Sequence, residues 1–334
     1  MNIYKIAELA GVSVATVSKV INGRDEISED TRRKVFEIIE SNNFKPKVSA
    51  TVMDTLAVFF PAGRETHLSN PYFSSILFGV GDIAYDYDFG ITIINTGRLP
   101  KKPGEFLKFC RQRKISGGIF ALLTVDDNYV AGLAEKFPVV SISQKFEGYP
   151  VGCVQADNFT GGYEAVKYLI DCGHKKIMFI NPSIKYLDHI MRNDGGEKAL
   201  QEAGLSKYPE EIQYSLTLSD TDLGYSLDKA FADRERPTAL FIASDQEALR
   251  IMRILQEKGV KIPEDISIVG FDDLSFAENI NPPLTTVRQP IYDVGREACR
   301  MLINMMQKSG TQEVADMTLK TKLMIRKSVK RLNE

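Results

Sequence analysis

From Thr55 onward the chain alternates short, continuous apolar runs with segments of helical pattern, and this rhythm constrains the fold more than any other feature. The runs at 55–60, 89–95, 117–123, 176–181, 212–216, 238–243 and 266–271 read as strands. Residues 71–88 and 103–114 read as helices between the first of them. A strand that is apolar on both sides must be covered on both faces, so parallel sheets flanked by helices are expected. Such sheets bind ligands beyond the carboxyl ends of their strands. The 334 residues leave a core of about 280 beyond this boundary, enough for two lobes.

The first 47 residues follow a different rule. Ile6, Leu9 and Ala10 recur at i, i+3, i+4 and read as the buried stripe of a first helix. Gly11 supplies a sharp reversal, and Ser13 is a good N-cap for a second helix whose buried side is Val17, Val20 and Ile21. Ala15, Thr16, Ser18, Lys19 and Asn22 point elsewhere, small and polar, with Gly23 at the C-cap position. Ser28 caps a third helix, Glu29 and Asp30 suit its positive end, and Val35, Ile38 and Ile39 form its core stripe. Three short helices with a Gly turn make a helix-turn-helix, whose second helix is shaped to lie in a major groove. Net charge adds little: residues 1–47 hold eight Lys/Arg and seven Asp/Glu. The acids collect at Asp25, Glu26, Glu29 and Asp30, away from that second helix. On pattern alone, a helical bundle without a nucleic acid partner stays open.

Nucleotide and metal chemistry find little support. Gly79-Val80-Gly81 lacks the third glycine of a dinucleotide loop, and Gly195-Gly196-Glu197-Lys198 lacks the upstream glycine of a phosphate loop. The histidines are His67, His174 and His189, with no ligand spacing; His174 reads as capping a helix end. No catalytic residue, cofactor or metal site is expected, and the chain does not read as an enzyme. Cys110, Cys153, Cys172 and Cys299 are scattered and read as reduced, buried thiols. No apolar run approaches about 18 residues and the start lacks a signal-peptide layout, so a cytoplasmic protein without a membrane partner is expected.

The wording of several stretches says more than their pattern. Ile6-Ala7-Glu8-Leu9-Ala10-Gly11-Val12-Ser13-Val14-Ala15-Thr16-Val17-Ser18-Lys19-Val20-Ile21-Asn22-Gly23 comes first, followed by Ile27-Ser28-Glu29-Asp30-Thr31-Arg32 and Phe44-Lys45-Pro46. Together they closely resemble the DNA-binding domain of LacI/GalR-family transcriptional regulators. The resemblance continues through Asn70-Pro71-Tyr72-Phe73, Ala156-Asp157-Asn158, Ser244-Asp245, Gly270-Phe271-Asp272-Asp273 and Pro282-Pro283-Leu284-Thr285-Thr286-Val287-Arg288-Gln289-Pro290. It implies an N-terminal all-α helix-turn-helix headpiece and an α/β, periplasmic-binding-protein-like core of two doubly wound parallel-sheet lobes. The implied division is a DNA-binding domain over 1–47, a shortened hinge over 48–54, and an effector-binding and dimerisation domain over 55–334. Lobe 1 is expected at about 55–156 plus 288–315 and lobe 2 at about 157–287 plus 316–330.

The resemblance also assigns residues. Val14, Ala15 and Lys19 match positions that read base edges, the first two by apolar contact and Lys19 by donating to guanine acceptors. Tyr4, Ser13, Thr16, Ser18, Asn22 and Ser28 match phosphate-positioning sites, and Met53 matches the apolar wedge of the minor groove. In the core Tyr72 and Phe73 match aromatic cover for a ligand, Arg192 a fork onto its hydroxyls or carboxylate, and Asp272 an acceptor for hydroxyls. Asn158, Ser244 and Gln289 match further polar contacts.

Departures stand beside these matches. Ser141-Ile142-Ser143-Gln144 replaces an Asp-Arg pair found in many sugar-binding members, and Gly195-Gly196 stands where an aromatic is common. The linker holds no Lys or Arg from Val48 to Ala57. The implied function is a regulator, by family habit a repressor. It would bind a palindromic operator as a homodimer, under a sugar or sugar-derived effector held between the lobes. Two alternatives remain: control by a protein corepressor over a vestigial pocket, or a sugar-binding protein of the same fold.

Overall fold

The computed structural model describes residues 3–21, 27–41, 54–60, 70–208, 212–213, 217–232, 235–307 and 316–332. The chain divides into two compact units, Met1–Asp54 and Thr55–Glu334.

The first unit holds α1 (Ile3–Ala10), α2 (Val14–Ile21) and α3 (Glu29–Ser41). Its core is Ile6, Ala7, Ala10, Val17, Val20, Val35 and Ile39. Leu9, expected in that core, is 46% exposed. The buried arc of α1 centres between Ile6, Ala7 and Ala10 because α1 faces both other helices at once, and Leu9 lies off that arc. Gly11 takes φ +66° where the chain reverses, and Val12 donates its N–H to the Ala7 carbonyl at 3.0 Å. The Ser13 hydroxyl accepts from Thr16 N–H at 3.0 Å, closing the start of α2.

Among the described residues the second unit contains two six-stranded sheets. The first is ordered β11-β5-β4-β3-β1-β2, all parallel, from β1 (Thr55–Phe60), β2 (Gly90–Asn95), β3 (Ile115–Phe120), β4 (Val139–Ile142), β5 (Val151–Ala156) and β11 (Asp316–Leu319). Period-two alternation divides its strands between two covers. Leu56, Val58 and Phe60 meet α4 (Pro71–Asp86) and α11 (Ile291–Gln307). Ala57 and Phe59 meet α5 (Pro103–Gln112) and α6 (Tyr129–Ala134).

The second sheet is ordered β12-β10-β9-β8-β6-β7, from β6 (Ile177–Asn181), β7 (Ile212–Gln213), β8 (Ala239–Ile242), β9 (Ser267–Asp272), β10 (Thr285–Arg288) and β12 (Lys322–Met324). Only β12 runs antiparallel to its neighbour, β10. Ile177, Phe179 and Phe241 face the cluster of α7 (Asn158–Asp171) and α8 (Leu187–Glu202). Met178, Ile180 and Ile242 face that of α9 (Asp220–Ala232) and α10 (Asp245–Glu257).

The chain crosses between sheets after β5, after β10 and between β11 and β12. The last crossing corrects the expected boundary at 315/316. Asp316–Leu319 pairs with β5 in the first sheet, since Met317 and Leu319 pack on that lobe's core, while Leu323 of β12 packs on the other. Adjacent crossings are tied: Asp157 N–H donates to Leu319 O at 2.8 Å, and the Thr321 hydroxyl to Asp157 O at 3.3 Å.

The His174 backbone N–H closes α7, donating to Leu169 O at 3.1 Å, but its ring does not cap a helix. It is fully buried, with Nδ1 3.0 Å from the Thr238 hydroxyl and Nε2 3.1 Å from Lys330 O, fastening residues 328–332 to the second lobe. All four cysteines are free and buried, and burial pushes the thiols of Cys110 and Cys299 up to about 12.

Candidate functional site

Three helix starts converge on a cleft of about 110 Å³ at the carboxyl ends of the strands. Asn70, Tyr72, Phe73 and Leu122 line it from the first lobe, and Tyr186, Asp188, His189, Arg192, Ser244, Gln246, Asp272 and Leu274 from the second. Each wall has a local cause. Asn70 accepts from Tyr72 N–H at 3.0 Å, and Pro71 stands at the first turn of α4, which fixes the aromatic pair at the helix mouth. The Tyr72 and Phe73 rings meet edge to face at 5.6 Å, and Phe73 packs likewise on Phe60 at 5.0 Å. Tyr72 therefore covers the cleft while the buried Phe73 buttresses it.

Arg192 is the hub. Its Nε donates to Asn158 Oδ1 at 2.8 Å, and Nη1 donates to Ala243 O at 2.6 Å and to Asp272 Oδ1 at 3.3 Å. Nη2 lies 4.0 Å from Asp188 Oδ2, one helical turn back, and the guanidinium sits 4.0 Å over the Phe271 ring. Gln289 donates to Asp272 Oδ1 at 2.6 Å, and Asp245 N–H lies 3.4 Å from Oδ2. Asp245, wholly buried, accepts from the Thr286 hydroxyl at 2.6 Å and Leu274 N–H at 3.0 Å. Asp272 adopts φ +124° and Asp273 φ +56°. That unfavourable backbone is held by Arg192 and Gln289 on one side and by Arg288 and Arg326 on Asp273 at 2.6 Å each.

Burial dominates the titration of this cluster. It lifts Asp272 to about 6 against the pull of Arg192, and Asp245 well above the carboxylate range, with repulsion from Asp272 adding to the rise. Burial also raises Asp188, opposed by Arg192 and by a hydrogen bond from Ser143 of the first lobe. His189 is driven down to about 3 by burial and by Arg192, so its ring is neutral; Nδ1 faces Ser183 O at 3.2 Å.

Of the residues assigned from sequence, Tyr72, Phe73, Arg192, Ser244 and Asp272 line the cleft together. Asn158 and Gln289 stand behind, gripping Arg192 and Asp272. Sequence reasoning passed over Asp188, His189, Tyr186, Gln246, Asn70, Leu122 and Leu274. The first two lie four and three residues before Arg192 on α8, and that spacing was the available signal. The Ser141–Gln144 segment closes on itself, the Ser141 hydroxyl donating to Gln144 O and, at 3.2 Å, to Gly152 O.

On the first unit Ala15 and Lys19 are exposed, and Ser13, Thr16, Ser18 and Ser28 are exposed or half-buried around them. Val14 packs partly against the headpiece core. Asn22, Met53 and the Tyr4 side chain lie outside the described residues.

Residues 2–47 match the model for bacterial regulatory proteins of the lacI family, and residues 166–329 match the periplasmic binding protein-like domain. Over 333 residues the chain is 32% identical to the HTH-type transcriptional repressor PurR of Histophilus somni strain 129Pt, covering 99% of each. The chain belongs to the lacI family. The family member DegA of Bacillus subtilis, an HTH-type transcriptional regulator, is 32% identical over 340 residues, covering 99% of this chain and 98% of DegA. Among solved structures, the complex of the transcriptional regulator CelR with cellobiose superposes with a TM-score of 0.72 at 29% identity, covering 98% of this chain and 99% of CelR. This lacI-family chain is a DNA-binding transcriptional regulator and not an enzyme.

Proposed function

We propose that the chain is a repressor that binds a palindromic operator as a cytoplasmic homodimer and that a small carbohydrate-like effector in the cleft controls its DNA affinity. The observation that carries this is the Arg192 hub, which gathers Asp188 and Asp272 of the second lobe beneath Tyr72 of the first. A ligand touching both walls is bound only when the lobes stand at one spacing, and that is how binding becomes conformation. The relative solved with cellobiose lends the ligand class.

At the other unit, Ala15 supplies an apolar contact and Lys19 a donor to base edges, while Ser13 and Thr16 mark the phosphate-facing start of α2. One headpiece reads too few bases for useful specificity, so two are needed. Phe78 and Tyr85, 70% and 83% exposed on α4, with exposed Ile91 and Ile93 on the edge strand β2, offer the surface for pairing.

Gel-shift titration tests the reading. Lys19→Ala weakens operator binding about 5- to 150-fold with the fold intact, as loss of one base contact implies. Arg192→Ala keeps operator binding and loses the response to a sugar panel. Tyr85→Asp sediments as a monomer. Unchanged operator affinity in Lys19→Ala, or a retained sugar response in Arg192→Ala, contradicts the assignment.

A further inference from the structure

The cleft carries a charge balance that restricts its contents. Among the described residues lining it, Arg192 is the sole fixed cation, and it faces two carboxylates, Asp188 and Asp272. Asp245, buried behind Asp272, is held toward its protonated form by burial and by repulsion from Asp272 and is left out of this balance. His189 contributes no charge. An anion would therefore meet an excess of negative charge about a guanidinium whose Nε and Nη1 are already committed.

Helix ends do not reverse this. The N-termini of α4, α8 and α10 all open on the cleft, and such ends attract anions. Each is already met by an oxygen of the chain itself. Asn70 caps α4, Asp188 sits in the first turn of α8, and Asp245 in the first turn of α10, whose N–H faces Asp272 Oδ2. What remains is the 4.0 Å gap between Arg192 Nη2 and Asp188 Oδ2. It is too long for a hydrogen bond, and a single hydroxyl set to one side of it can accept from the first and donate to the second at about 2.8 Å each. A carboxylate or phosphate oxygen can only accept, and leaves Asp188 facing a like charge.

We infer that the cleft takes an uncharged polyhydroxylated effector and rejects sugar acids and sugar phosphates, with Asp188 as the discriminating residue. The inference rests on the reading of the cleft as the effector site. It narrows the sugar or sugar-derived effectors implied by the resemblance to uncharged ones.

Calorimetry on the full chain at pH 7.5, with matched sets of free sugar, sugar acid and sugar phosphate, tests it. The sets are built on glucose, galactose, ribose and cellobiose. Every sugar that binds is uncharged, and its charged counterparts are about 100-fold weaker or worse, as a desolvated like-charge contact requires. Asp188→Asn, which keeps a hydrogen-bonding group without the charge, narrows that gap to about 10-fold or less by the same arithmetic. An acid or phosphate that binds as well as its parent sugar overturns the inference, and so does a gap unchanged in Asp188→Asn. Silence from the whole panel fails the effector reading itself, and the inference with it. Should Asp188→Asn not fold, the wild-type comparison alone decides.

Discussion

At the scale of single residues, Arg192 holds together charges that would otherwise repel. Removing one partner of a buried ion pair leaves the other uncompensated, which costs about 3–5 kcal/mol. Arg192→Ala should lose stability of that order at pH 7.5 by urea denaturation, because Asp272 and Asp188 remain. The pH dependence has a definite sign. Asp272 titrates at about 6 in the folded chain, above its ordinary 3.8, so its contribution favours the native state below 3.8 and is lost as pH rises through 6. Acidification from pH 7.5 to pH 5 therefore recovers part of the Arg192→Ala deficit. A deficit constant across that range would show that Asp272 is not the group left exposed.

At the scale of elements, two pairs of helices approach so closely that only glycine fits between them. A Cβ at Gly79 would lie 2.1 Å from the Tyr292 carbonyl of α11, and one at Gly295 2.3 Å from the Ile76 carbonyl of α4. In the second lobe a Cβ at Gly162 would lie 2.0 Å from the Arg192 carbonyl, and one at Gly195 2.0 Å from the Phe159 carbonyl. These contacts are backbone and cannot rotate away. Gly79→Ala and Gly195→Ala should each cost about 1–3 kcal/mol or more through overpacking, read as a lowered Tm. Gly104→Ala, with nothing within 4 Å, should be neutral or slightly stabilising. Equal effects at all three would mean that the helices are not in contact there.

These glycines also explain what was and was not legible beforehand. Gly79-Val80-Gly81 and Gly195-Gly196 were recognisable as unfit for phosphate, but their real duty depends on helices more than a hundred residues away or on a packing angle. Covered strands such as β1 and β9 announced themselves as continuous apolar runs. Val139–Ile142, four residues long, was too short to carry a pattern. Arg192 and Asp272 were found through family wording rather than spacing. The His174 ring's role was not legible because its partner, Lys330, is 156 positions distant.

At the scale of the whole molecule, control of one site by another is a free energy shared between them. If the effector changes operator affinity by some factor, the operator must change effector affinity by the same factor, typically about 5- to 150-fold. Titrating effector with and without operator, and operator with and without effector, should return one number. Two different factors would mean that the cleft and the headpiece respond to separate events.

The strands β11 and β12 give the assembly of this chain a fixed order. Both lobes are completed by one short stretch, 316–324, and the second is then fastened by residues 328–332. On a translating ribosome the headpiece emerges whole long before either sheet can be finished, since domains mature in order of synthesis. A nascent chain thus owns its reading helix while still blind to its signal. Premature stops between Arg288 and Asp316 would release products with a headpiece and two unfinished sheets.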